Sequence, residues 1–187
     1  MNNSSKKQIE KDLVLIGGGH SHLNVLKSFT MDKIDGLRVT LISDVYETPY
    51  SGMLPGYIEN DYSLDDIKID LYKICYYGNF RFINCKVNKI DGIKNLIYFK
   101  NRPPLSFDYL SINIGINNDT KTIKNANKFA LRLKPISKIN YNEITKNLEG
   151  KKVGIIGSGA AGVEISLALK KDIAKLISFY LLEKMDC

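Results

Sequence analysis

The chain has 187 residues, room for one domain or for one domain and the start of another. Its 44% hydrophobic and 25% charged content is that of a globular protein and excludes a disordered or fibrous one. The net charge of +7 comes from lysines scattered along the chain, with no basic stripe and no reading motif, so nucleic acid is not an expected partner.

Residues 1–11 are a polar tail without the apolar stretch of a leader, and no window approaches the about 18 apolar residues of a membrane span. The expected setting is the cytoplasm, with peripheral contact at the inner face of a membrane left open. "LVLIGGGHSHLNVLKSF" (Leu13–Phe29) then reads as a buried strand, a glycine-rich turn and an amphipathic helix. Leu13–Ile16 is apolar at every position, as a parallel strand covered on both faces should be, and Leu23, Val25, Leu26 and Phe29 give the helix its apolar side. "LRVTLIS" (Leu37–Ser43) is the second strand of a βαβ unit. "DVYETPYSGMLPGYIENDYS", with two prolines and two glycines, reads as a structured loop. A helix is predicted near Asp70–Tyr77, a strand over Phe80–Val87, and hairpin runs at Lys86–Ile90 and Leu96–Phe99. "FDYLSINIGINN" (Phe107–Asn118) is a further strand, ending at Gly115. Residues 119–150 are mostly connection, with a short helix in "YNEITKNL". From Lys151, "KKVGIIGSGAAGVEISLALKK" repeats the strand, glycine turn and helix of the N-terminus.

The second copy is the more regular. Val153–Ile156 is the expected strand, and Gly157, Gly159 and Gly162 stand at G-x-G-x-x-G spacing. The first glycine allows the tight turn, the second lets a pyrophosphate reach the backbone, and the third lets helix and strand pack closely. Phosphates then meet free N–H groups and the positive end of the helix dipole. "LISFYLLE" (Leu176–Glu183) ends in an acid placed to bond an adenosine ribose, which favours NAD over NADP.

In the first copy Gly17 and Gly19 hold the first two positions, Gly18 adds freedom between them, and His22 stands where the third glycine should be. A histidine cannot give the close contact of a glycine, so either the helix stands off or the ring points outward. Ser43 and Asp44 share the place of the ribose acid, and either is positioned to reach a hydroxyl. His20, at the helix N-terminus, reads as a neutral ring bonding near a cofactor in preference to a catalytic group.

A glycine-rich βαβ at the N-terminus, the "FDYLSINIG" strand near the middle and a second glycine-rich βαβ form an ordered set. It resembles the FAD-dependent pyridine nucleotide-disulfide oxidoreductases. The three cysteines (Cys75, Cys85, Cys187) form no C-x-x-C pair, so a disulfide framework, a zinc site and the redox pair of the disulfide reductases are not expected. The cysteine-dependent chemistry of sulfide:quinone reductases is disfavoured for the same reason. What remains resembles the type II NADH dehydrogenase branch. "GGGHSH" followed by "TPYSGMLPG" is similar also to the NADH dehydrogenase-like domain fused to selenide, water dikinase in some bacteria.

The resemblance covers Leu13 to Glu183 and implies an α/β architecture. A Rossmann-like FAD-binding fold of the three-layer ββα type would span residues 12–118, lacking its C-terminal return. Residues 151–187 would begin a truncated NAD(P)-binding βαβ unit. Gly17, Gly18, Gly19, His20, Ser43, Asp44, Gly115 and the loop with Pro49, Ser51 and Met53 would then serve FAD. Gly157, Gly159, Gly162 and Glu183 would serve NADH. The implied activity passes electrons from NADH through flavin to a quinone or another acceptor, with no general acid or base assigned. A separate chain supplying the missing half is a further expected partner. The competing readings are a non-catalytic FAD- or nucleotide-binding module and an inactive remnant of a split gene.

Overall fold

The computed structural model describes residues 8–116, 123–136, 139, 144, 148, 151–157 and 159–172. They form two compact units. The first comprises residues 8–48 and Ile69–Gly115, and the second comprises Pro49–Lys68 and the described residues from Ile116 onward.

The first unit is built on four parallel strands: β1 (Lys11–Ile16), β2 (Leu37–Ser43), β5 (Arg81–Asn84) and β9 (Tyr109–Ile112), in the order β5-β2-β1-β9. Between β1 and β2 runs α1 (His20–Met31), and between β2 and β5 runs α3 (Leu71–Gly78). The registers pair Ile16 with Ile42 on one side and with Ile112 on the other, and Ile42 with Ile83, so the carboxyl ends of all four strands stand in a row.

Alternation along the strands fills two cores, because successive side chains point to opposite faces. Val14, Ile16, Ile42 and Ile83 bury against Ile97 and Phe99 of an antiparallel sheet, β6 (Val87–Asp91), β7 (Leu96–Phe99) and β8 (Leu105–Ser106). Leu15, Val39 and Leu41 face the other way, onto Leu26 of α1 and Leu71 and Cys75 of α3. The outcome is antiparallel sheet, parallel sheet and helices in three layers. At the strands' amino ends Arg38 grips its register partner Asp12 with two bonds, Nε to Oδ1 at 2.5 Å and Nη2 to Oδ2 at 2.8 Å. The α3 helix is well delimited: Asp70 accepts the Lys73 N–H at 2.8 Å, and Asn79 ends it at φ +57°.

Three elements differ from the sequence expectation. The strand expected over Phe80–Val87 divides, since Cys85 and Lys86 link β5 to β6, and the two strands join different sheets. Strand β9 stops at Ile112, ahead of Gly115, because its partner β1 ends at Ile16 and turns at Gly17; the bond from Asn113 N–H to the Ile16 carbonyl, 2.8 Å, is the last between them. The loop after β2 is in part regular: β3 (Glu47–Pro49), a 3-10 turn (Ser51–Met53) and α2 (Leu54–Ile58), with β4 (Lys68–Asp70) pairing with β3.

In the second unit Leu54, Tyr57, Ile58 and Ile67 share one core with Val153 and with Ile165, Ala168 and Leu169 of α5 (Ala160–Asp172). A short α4 (Ala126–Phe129) precedes it. The strand expected over Val153–Ile156 is not formed as such; Ile156 makes an isolated bridge. A parallel strand exists only through its neighbours, and the second strand expected for this unit, Leu176–Glu183, lies outside the described residues, as do residues 1–7 and most of "YNEITKNL".

Candidate functional site

Strand β2 and then β5 extend to one side of β1, while β9 lies on the other. The order therefore reverses between β1 and β9, and the crevice beyond the strands' carboxyl ends at such a switch point is where α/β sheets bind ligands. Gly17, Gly18 and Gly19 occupy that crevice edge. Gly17 donates to the Ile42 carbonyl at 2.8 Å and Gly19 to the Asn113 carbonyl at 3.2 Å, so the turn is stitched to both neighbouring strands.

The glycines are required by space and by backbone. Gly17 has φ +93°, and a Cβ there would strike the backbone of Asn113 and Ile114. A Cβ on Gly19 would strike the side chain and carbonyl of Asn113. At Gly18 the obstacle is the end of the Leu71 side chain, which can move. The α1 helix starts at this turn with Gly19 as N-cap, no side-chain cap bond and no acid in its first turn. Its first N–H groups and positive dipole end are left for an anion.

His22 is buried, at 2% exposure. Its Nδ1 lies 2.7 Å from the Gly17 carbonyl oxygen and its Nε2 2.9 Å from Ser111 Oγ. A carbonyl only accepts, so Nδ1 carries the proton, and the neutral ring's Nε2 accepts from the Ser111 hydroxyl. Of the two alternatives left by the sequence, the outward ring is excluded. Burial is the main influence on this imidazole and holds its pKa below the ordinary 6.5, opposed by the Gly17 carbonyl. The neutral form is thus favoured in the fold. Below pH 6.5 the unfolded chain takes up a proton that the folded chain resists, so stability declines as pH falls below 6.5. Urea melts at pH 7.5 and pH 5 should show this loss, and His22→Asn should flatten it. Equal loss in both proteins would contradict it.

The second turn repeats the pattern. Gly157 has φ +119°, and a Cβ on Gly162 would strike the Gly157 carbonyl. Gly162 and Val163 donate to the Gly159 carbonyl at 2.9 and 3.2 Å, as His22 and Leu23 donate to Gly19 at 3.0 and 3.2 Å.

No family model matches the chain. It is 25% identical over 168 residues to the NADH dehydrogenase-like protein YutJ of Bacillus subtilis, a match covering 86% of this chain and 45% of that protein. The chain thus spans under half the length of this curated relative. Among solved structures, the ferredoxin reductase of the CYP199A2 system from Rhodopseudomonas palustris superposes with TM-score 0.71 at 19% identity, over 91% of this chain and 42% of that one. The sulfide:quinone oxidoreductase of Aquifex aeolicus gives 0.68 at 20%, over 87% and 40%. NDH2 of Plasmodium falciparum in complex with NADH gives 0.63 at 20%, over 86% and 37%. These likenesses show a shared α/β fold with the ferredoxin reductase, sulfide:quinone oxidoreductase and NDH2 structures.

Within this fold the residues singled out from sequence fall into three groups. Gly17, Gly18, Gly19 and His20 form the first turn, and Ser43 and Asp44 stand at the end of the neighbouring strand β2. Ser43 is buried, its Oγ accepting the Val45 N–H at 3.2 Å, whereas Asp44 is exposed. Exposed His20 accepts from Asn24 Nδ2 at 3.3 Å along the helix surface. Gly115, at φ +74° with open space around it, is a glycine for its backbone alone. Pro49, Ser51 and Met53 belong to the second unit, where Met53 packs against the core and Ser51 is exposed. Gly157, Gly159 and Gly162 form the second turn, and Glu183 lies outside the described residues.

Sequence reasoning missed Asn113 and Ser111, which hold the first turn from β9. The signal available was the polar residue at every second position of "YLSINIG", on one face of a strand otherwise apolar. Neither described cysteine lies at the turn. Cys75 is buried on α3, its thiol pushed up to about 11 by desolvation, and Cys85 is half-buried in the link after β5. At pH 8 only about one Cys75 thiol in a thousand is thiolate. Iodoacetamide should therefore spare Cys75 in the folded chain and label it after denaturation, as read by mass spectrometry. Equal labelling in both states would contradict the burial.

Among the described residues no helix is long and apolar enough to cross a membrane.

Proposed function

We propose that this chain carries the FAD site and the opening part of the NADH site of an NADH-oxidising flavoprotein. The carrying observation is the uncapped glycine turn at the switch point, pressed onto β9 so closely that a Cβ at Gly17 or Gly19 has no room. The likeness to an NADH dehydrogenase-like protein supports the same reading.

In it, the backbone N–H groups of Gly18, His20 and Ser21 receive the FAD pyrophosphate, while the Gly19 N–H stays on the Asn113 carbonyl. Exposed Asp44 accepts from the adenosine ribose, while Ser43 remains engaged with its own turn. Gly115 and, by the sequence resemblance, Pro49, Ser51 and Met53 would also serve FAD. Gly157, Gly159 and Gly162 receive the pyrophosphate of NADH, and Glu183 its ribose, favouring NADH over NADPH. A flavin held there would supply the chemistry for taking hydride from NADH and passing electrons to a quinone at the inner face of a membrane or to another acceptor. The protein's own contribution is binding, orientation and exclusion of water.

A second reading, in which this chain binds FAD without turnover, draws on the missing strand at Val153–Ile156. Anaerobic titration separates the two. The chain is reconstituted with FAD and NADH is added under nitrogen. Flavin bands that bleach support the oxidoreductase, and their recovery on adding a quinone analogue identifies the acceptor class. Bands that persist favour the binding module. A chain that takes up no FAD overturns both.

A further inference from the structure

The two glycine turns differ at one position. In the second, Gly162 brings a bare Cα against the Gly157 carbonyl. In the first, the corresponding Gly17 carbonyl receives a hydrogen bond from the His22 ring instead, at 2.7 Å. The helices otherwise begin alike, each second glycine accepting from the third and fourth residues after it. An imidazole has thus replaced glycine packing at a carbonyl that both turns must place.

That carbonyl matters because of the peptide it belongs to. In a planar trans peptide the C=O of Gly17 and the N–H of Gly18 point in opposite directions. Whatever fixes the carbonyl therefore fixes where the donor points. A flip of this peptide turns ψ of Gly17 and φ of Gly18, and neither glycine has a side chain to resist it. The ring is itself held: its second nitrogen lies 2.9 Å from Ser111 Oγ on β9, and the side chain is buried.

We propose that His22 is the positioning residue of the first turn, holding the Gly17–Gly18 peptide in one orientation through a Ser111–His22–Gly17 chain of hydrogen bonds and so aiming the Gly18 N–H at the bound pyrophosphate. The role in ligand binding rests on the reading of this turn as the FAD site. His22 touches no reacting group in this account; it acts through Gly17.

His22→Ala removes the donor, whereas His22→Asn offers an amide N–H from the same branch point as Nδ1. Each variant of the full chain is read by amide hydrogen exchange at Gly17 and Gly19, whose N–H groups bond the Ile42 and Asn113 carbonyls, and by FAD fluorescence titration. His22→Ala should speed exchange and weaken FAD each by about tenfold, while His22→Asn stays within about threefold of the parent. A merely structural ring would leave Asn as impaired as Ala, and that result overturns the proposal. So does FAD affinity unchanged in His22→Ala when the parent binds flavin, which leaves the FAD reading intact. If the parent takes up no FAD, the FAD reading falls, and the exchange pattern alone decides the clamp. Should His22→Ala fail to fold, ring 15N shifts of the parent decide: a neutral Nδ1–H tautomer supports the proposal and an Nε2–H tautomer overturns it.

Discussion

Gly17→Ala is expected to cost the chain its flavin. The new Cβ would stand at φ +93°, a conformation that side chains adopt at about 1–3 kcal/mol. It would also strike the carbonyl of Asn113 and the Cα of Ile114, backbone atoms held by the bond from Asn113 N–H to the Ile16 carbonyl. Relief requires the turn to lift from Asn113 and Ile114, which moves the N–H groups that receive the pyrophosphate in the proposed function. The combined effect is a loss of about a hundredfold or more in FAD affinity, since 1.4 kcal/mol is about tenfold. Gly18→Ala is the comparison, because its Cβ meets the Leu71 side chain and no backbone, at an ordinary glycine φ, and should cost less. Fluorescence titration with parallel urea melts reads both. A Gly17→Ala chain that binds FAD within a few-fold of the parent would show that the turn is not the site.

Leu26→Ala should be the most destabilising single truncation in the first unit. Leu26 is fully buried, one turn along α1 from His22, and packs in the core with Leu15, Leu41 and Leu71. Leucine-to-alanine changes at such positions cost about 2–5 kcal/mol through lost transfer energy and the cavity left behind. The expected consequence is a lower urea midpoint with an unchanged slope. FAD added in excess should recover part of the loss, because a ligand of the native state stabilises it by mass action. A midpoint shifted by less than about 1 kcal/mol would mean that α1 is not anchored through this residue.

Much of the first unit was legible because its code is local. The apolar run Leu13–Ile16 reads as a strand covered on both faces, Leu37–Ser43 as its βαβ partner, and Gly17 and Gly19 mark the turn between strand and helix. The internal repeat at Gly157–Gly162 was equally plain, and its hydrogen bonds match those of the first turn. What sequence could not give was set by contacts distant along the chain. Asn113 and Ser111 touch the glycine turn only because β9 inserts beside β1, 89 positions from His22 in the case of Ser111. The inward ring of His22 depends on that same hydroxyl. The segment Pro49–Lys68 reads as a loop of the first domain, yet Leu54, Tyr57 and Ile58 find their core in the second unit. Val153–Ile156 has the composition of a strand and lacks regular pairing among the described residues, because composition supplies propensity and only a neighbour supplies a ladder.

The most direct test of the account follows the backbone amides of the chain by NMR as FAD is added. The largest shifts should fall on Gly18, Gly19, His20 and Ser21, saturating at one flavin per chain. Amides of that turn that stay still while FAD binds elsewhere, or while none binds at all, would contradict it.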